Sequence, residues 1–331
     1  MNRIIFSTIS FVLPITVIFL VLSFSFIFNS YSIVKNNLEE KFNNKSSFFS
    51  SSLQYSLPYN FSKNTIQDKV NIVQLLSDYV ESKIQSAQTI LLISSQEESV
   101  RNNSSANLIS EEFMGIPENA DIPKREIAKR ILELDEDFGS IYFTTPKGNI
   151  YLGEPFIQQR QLERLNYADR EWYKGINDII NNNTEHNLTT ILTNIYTSGI
   201  FISASIHTPA ISIVTPVYKK YDTNNKELLG YWVAILNLHD ITKRVKSLNL
   251  TDNERLVIFD QNGTIVTDSE TPYENSTKIE NFEYVSKVSN VLEGEVGIKV
   301  ENNDTDLPTL FIYYPINIGS HYWGIVYMIN Y

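Results

Sequence analysis

Hydrophobic and polar positions along this chain change rhythm three times. From Ile4 to Phe28 they are almost all apolar, with no charged side chain. Such a run suffices to cross a bilayer as a helix, at about 20 residues per ~30 Å of hydrocarbon. Arg3 flanks it on one side, and Lys35, Glu39, Glu40 and Lys41 follow on the other. The positive-inside rule puts the 1–3 stub in the cytoplasm and the bulk of the chain outside the cell membrane, on a single pass. The exit SFSFIFNSYS offers no small-x-small cleavage pattern, so an uncleaved anchor is expected rather than a signal peptide. Pro14 within the run is tolerated in a membrane helix.

The second rhythm is helical. After an irregular Ser/Asn/Phe-rich stretch broken at Leu57-Pro58, Val73, Leu76, Val80, Ile84, Ala87 and Leu91 recur at steps of three and four. That spacing predicts a helix over Thr65–Glu98. Asn102 to Asn119 is polar and reads as a loop. A second helix is expected from Pro123, where proline suits the first turn, to Leu134 on Ile127, Ile131 and Leu134.

The third rhythm is that of strands. SIYFTTPKGNIYL (Ser140 to Leu152) places two β-rich runs around Pro146-Lys147-Gly148, a hairpin signal. RLVIFDQNGTIVT (Arg255 to Thr267) repeats the design around Asn262-Gly263. ISIVTPVY (Ile211 to Tyr218) precedes LLGYWVAIL (Leu228 to Leu236), as LFIYYPI (Leu310 to Ile316) precedes HYWGIVYMI (His321 to Ile329). Pro216 thus corresponds to Pro315 and Trp232 to Trp323. A period of roughly a hundred residues is that of a domain, not of a solenoid repeat. The expected fold is α+β: an N-terminal transmembrane helix, a long bracing helix, and two tandem antiparallel-sheet modules joined by a helix in His239 to Leu250. The boundaries follow as stub 1–3, anchor 4–28, juxtamembrane segment and long helix 29–118, membrane-distal module 119–245 and membrane-proximal module 246–331.

Anchor, long helix, paired modules and the segment NYADREWYKGI (Asn166 to Ile176) together resemble the double Cache domain, the extracytoplasmic sensor of prokaryotic chemoreceptors and sensor kinases. The resemblance covers about Lys35 to Tyr331. Members often carry Arg-x-Trp-Tyr before the pocket strands, then a strand ending Thr-Pro-Val-Tyr, here Thr215 to Tyr218. It implies that the two tandem antiparallel-sheet modules are PAS-like and that the chain is a binding module for a small molecule, not an enzyme, with an empty membrane-proximal module. Arg170 would offer a planar fork of donors to a carboxylate. Trp172 and Tyr173 would wall the pocket and Tyr196 would close it, with Tyr167 and Ser198 also among the ligand-binding residues. The bland alternative makes Trp172 and Tyr173 core aromatics and pairs Arg170 with Asp169 or Glu171.

Amino-acid-sensing members resemble one another in a fuller pattern, with a Tyr before the Arg and two acids that hold the ligand's ammonium. Here Leu165 stands five residues before Arg170, Tyr196-Thr197-Ser198 lacks the Asp, and the last acidic position falls on Ile235, with Asn237 beyond. An α-amino acid would leave its ammonium unpaired, at a cost of several kcal/mol. An organic acid is therefore the favoured ligand. The chain reaches Tyr331 without an output domain, so a separate signalling chain is the expected partner; a homodimer through the long helix is a further expectation. Two other readings stand beside this one: a structural or adhesive envelope glycoprotein that keeps the fold without the pocket, and the sensor half of a longer chemoreceptor or kinase.

Composition narrows the rest. A net charge of −11 gives nucleic acid no purchase, and the absence of cysteine excludes disulfides, thiol catalysis and cysteine-ligated metals. Asn-x-Ser/Thr triplets at Asn44, Asn60, Asn102, Asn103, Asn182, Asn187, Asn249, Asn262, Asn275 and Asn303 fit either a glycosylated surface or chance in an Asn-rich chain. His186, His207, His239 and His321 form no metal-binding spacing, and no phosphate loop or nucleophile elbow occurs. The acidic pairs Glu111/Glu112 and Asp135/Asp137 read as solvated. No cofactor is expected.

Overall fold

Strand alternation and helical spacing translate directly into two sheets strapped by one helix. The computed structural model describes residues 63–182, 194–219, 227–270, 279–302, 308–319 and 321–330. The expected anchor Ile4–Phe28 and His186 lie outside the described residues. Among the described residues no helix is long and apolar enough to cross a membrane.

The first helix, α1 (Lys63–Ser94), buries Ile66, Val70, Val73, Leu76, Val80, Ile84, Ala87 and Leu91 as one stripe. It ends four residues before the expected Glu98, where Ser95 and Gln96 close turns on Leu91 and Ile93. Next come α2 (Ile122–Leu134), β1 (Phe138–Thr144), β2 (Ile150–Glu154), α3 (Phe156–Arg160), α4 (Glu171–Asn182), β3 (Tyr196–Thr197), β4 (Phe201–Ile202), β5 (Pro209–Tyr218) and β6 (Leu228–Asn237). After α5 (His239–Lys246) the second module holds β7 (Glu254–Phe259), β8 (Ile265–Asp268), β9 (Gly297–Asn302), β10 (Pro308–Asn317) and β11 (Tyr322–Asn330). The first sheet runs β2-β1-β6-β5-β3, with β4 also on β5; the second runs β8-β7-β11-β10-β9. All pairings are antiparallel.

The repeat holds at the level of single hydrogen bonds. Thr145 N donates to Asn149 O as Asp260 N does to Thr264 O, both at 2.8 Å. Tyr167 N reaches Gly148 O at 2.9 Å, and Phe282 N reaches Gly263 O at 2.8 Å. Thr144 pairs with Ile150 and Tyr231, and Phe259 with Ile265 and Gly324. Thr144 therefore corresponds to Phe259, Tyr167 to Phe282 and, two residues back along the strand, Tyr142 to Val257. The prolines correspond as expected, through their partners Tyr231 and Gly324, but the tryptophans do not. Trp232 follows the partner of Pro216, whereas Trp323 precedes the partner of Pro315.

Helix α1 braces both sheets. Ser77 Oγ donates to Pro315 O at 2.8 Å, and Trp232 Nε1 donates to Ser94 Oγ at 3.0 Å. Gln88 Nε2 reaches Thr197 Oγ1 at 3.0 Å and Ile318 O at 3.1 Å, one in each module. The β3–β4 turn of the first module also meets the β7–β8 hairpin of the second. Asp260 Oδ2 accepts Ile200 N at 2.8 Å, and a side chain at Gly199 would meet that same oxygen at 2.6 Å.

Candidate functional site

The hairpin between β1 and β2 sets the site. Gly148, with φ +81°, lies so close to Ala168 that an added Cβ would stand 2.8 Å from the alanine Cβ. This contact seats the hairpin on Asn166–Ala168. Asn166 Nδ2 donates to Lys147 O at 2.8 Å, and its Oδ1 accepts Ala168 N at 3.0 Å. Tyr173 donates its hydroxyl to Pro146 O at 2.7 Å, fastening α4 to the same tip. The segment Leu162–Trp172 is thereby folded over one face of the first sheet.

A cavity of about 40 Å³ remains beneath it. Tyr142 and Thr144 of β1, Ile150 of β2, and Val233 and Ile235 of β6 form its sheet side. Residues two apart on a strand share a face, which is why they appear together. Leu162, Tyr167, Arg170 and Trp172 close it from above, and Phe201, Ser203, Ala204 and Ser205 from the side. No Asp or Glu lines it among the described residues.

Arg170 has the carboxylates on either side of it taken away. Asp169 is held by Arg164 Nη2 at 2.6 and 2.8 Å, which depresses its pKa below the ordinary carboxylate value. Glu171 Oε1 accepts Tyr196 Oη at 2.8 Å, and Gly199 N and Gln261 Nε2 at 3.0 Å each. The Arg170 guanidinium is left over the rings of Tyr167 and Phe201, its carbon 5.8 Å from each centroid. Among the described residues it has no ion-pair partner.

The cavity carries further unsatisfied polarity. The hydroxyls of Tyr142, Thr144 and Tyr167 are buried without a hydrogen-bond partner among the described residues. Burial pushes the Tyr142 phenol up to about 12; Ser205 and Ser140 lie near enough to oppose the rise, yet no bond of normal geometry forms. Burial also raises Tyr167, with Arg164 and Arg170 opposing. A buried hydroxyl without a partner costs about 1–3 kcal/mol, and three of them surround this one cavity.

Of the six residues singled out from sequence, the structure brings Arg170, Trp172 and Tyr167 to the cavity. Tyr173 faces the hairpin tip and the Tyr231 ring, 5.4 Å between centroids. Tyr196 covers Gly175 and reaches Glu171; Ser198 Oγ donates to Gly199 O and accepts Ser212 N, at 2.8 and 3.0 Å. None of these three lines the cavity. Tyr142, Thr144, Phe201, Ser203 and Ser205 escaped the sequence reading. Polar Ser140, Tyr142 and Thr144 at alternate positions of a strand buried on both faces were the available signal. Among the described residues no group of acidic or histidine side chains is arranged to hold a metal ion.

In the second module Phe259 and Phe282, the counterparts of Thr144 and Tyr167, stack with 5.1 Å between ring centroids inside a buried apolar cluster. A family model described as Cache domain matches residues 59–331. The chain belongs to the Cache domain family. Among solved Cache-like structures, the ligand-binding domain of the Campylobacter jejuni chemoreceptor Tlp3 with L-norvaline aligns at a TM-score of 0.54 and 12% identity, over 83% of this chain and 95% of that one. The ligand-binding domain of the Pseudomonas aeruginosa PAO1 amino-acid chemoreceptor PctC with GABA aligns at 0.50 and 16%, over 80% of this chain and 99% of that one. At such identities the likeness is one of Cache fold. No curated protein sequence matches the chain.

Proposed function

We propose that this chain is an extracytoplasmic Cache sensor module, tethered by Ile4–Phe28, that binds a small carboxylate in the cavity of its first module. The observation that carries the reading is Arg170: a guanidinium at a cavity, with both neighbouring carboxylates engaged elsewhere. Charge-assisted, bidentate bonds to a carboxylate are what such a fork makes best. The two similar structures hold ligands that carry an ammonium group, norvaline and GABA. Among the described residues the cavity's lining offers an ammonium no acid, and Ile235 stands where the resemblance calls for one. An acid without an amine is therefore the preferred guest.

The test is a thermal-shift screen of the full chain in mild detergent, against short organic acids, amino acids and amines. A ligand at a hundred times its dissociation constant stabilises by about 2.7 kcal/mol. A shift with carboxylates that disappears in Arg170→Ala is the expected result. Thr144→Phe, which borrows the second module's own residue, should also abolish it while the protein stays folded. A melting curve that no carboxylate moves would sink the reading in favour of a structural protein.

A further inference from the structure

Tyr142, Thr144 and Tyr167 correspond to Val257, Phe259 and Phe282 in the second module, by the strand register and hairpin bonds described above. The fold is thus built twice. Once, these three positions are apolar and buried in one cluster; once, each carries a hydroxyl that has no partner among the described residues, beside a cavity. The fold does not require hydroxyls there, since its second copy does without them. Each one opposes folding until something bonds it. Ser203 and Ser205, themselves joined at 3.0 Å, add two more hydroxyls to the same wall.

We infer that the ligand is a short hydroxy- or oxo-carboxylic acid, its carboxylate on Arg170 and its second oxygen on the hydroxyls of Tyr142, Thr144 and Tyr167. This rests on the carboxylate reading of the same cavity and adds the other half of the molecule. Size points the same way. A water-sized group needs at least 10–15 Å³ of such space, so the cavity of about 40 Å³ takes about three or four non-hydrogen atoms and favours the smallest acids. An ammonium in that place would be a buried cation beside Arg170, met among the described residues only by neutral oxygens, and a buried charge without a counter-charge is disfavoured. A plain alkyl acid would fill the space and leave the hydroxyls unbonded.

Isothermal titration of the full chain with glycolate, L-lactate, pyruvate, acetate, propionate and L-alanine tests the inference. The expected order places at least one hydroxy or oxo acid tenfold or more below acetate and propionate in Kd, with alanine weakest. Thr144→Val and Tyr167→Phe should erase that advantage, and a cooperative melting transition with a wild-type circular-dichroism spectrum shows that the variants fold. Arg170→Ala should abolish binding of every acid. Equal affinity for lactate, pyruvate and propionate, or tighter binding of alanine, would overturn the inference while the carboxylate site stands. No binding by any of the acids would overturn both.

Discussion

Lys124 is a fully buried lysine, its amine 4.0 Å from the centre of the Phe143 ring, 4.3 Å from that of Tyr151 and 3.2 Å from Asp121 Oδ2. Burial lowers its pKa to about 8, with Asp121 opposing. The folded value lies below that of the unfolded chain, so the unfolded state binds more protons as pH rises from about 8 toward 10.5. Stability from this group therefore increases with pH across that window. The urea midpoint should climb between pH 8 and 9.5, and Lys124→Met should flatten the climb; a wild-type midpoint that falls there contradicts the assignment. Arg170 was legible at this scale because a motif surrounds it. Thr144 was not, since a threonine in a strand is ordinary until its register shows a phenylalanine standing in its place in the other module.

At the scale of elements, α4 shows how packing overrules propensity. It is a twelve-residue helix with Gly175 in its middle, where alanine would ordinarily gain about 1 kcal/mol. A Cβ there would come within 2.3 Å of the Tyr196 ring. Overpacking costs about 1–3 kcal/mol, so Gly175→Ala should leave the protein no more stable and up to about 2 kcal/mol less so. Chemical denaturation decides this, and a stabilised variant would mean that the ring moves aside without cost. The long helix and the four long central strands were legible because each keeps one period over many residues. Helix α4 and the two-residue strands β3 and β4 were not. Tertiary contacts with Glu171, Gly199 and Ser212 hold them in place, and no local pattern announces such contacts.

At the scale of the molecule, the duplication was legible from its hairpins, but the difference between the copies was not. Sequence comparison aligned Trp232 with Trp323; the ladders shift them apart and bring the Thr144/Phe259 and Tyr167/Phe282 pairs into view. One module stacks a phenylalanine pair in its core where the other has a cavity, with α1 and the Glu171–Gln261 contact tying them together. The placement of the indoles has a spectroscopic consequence. Of the three tryptophans in the chain, Trp232 and Trp323 are wholly enclosed, and Trp172 is the one that lines the cavity. The molecule thus carries its own optical reporter. Ligand arrival should change the emission of Trp172 against a constant background from the other two. Trp172→Phe should silence the signal while calorimetry still detects heat, and a signal that survives the substitution would mean that the light comes from a change elsewhere in the fold.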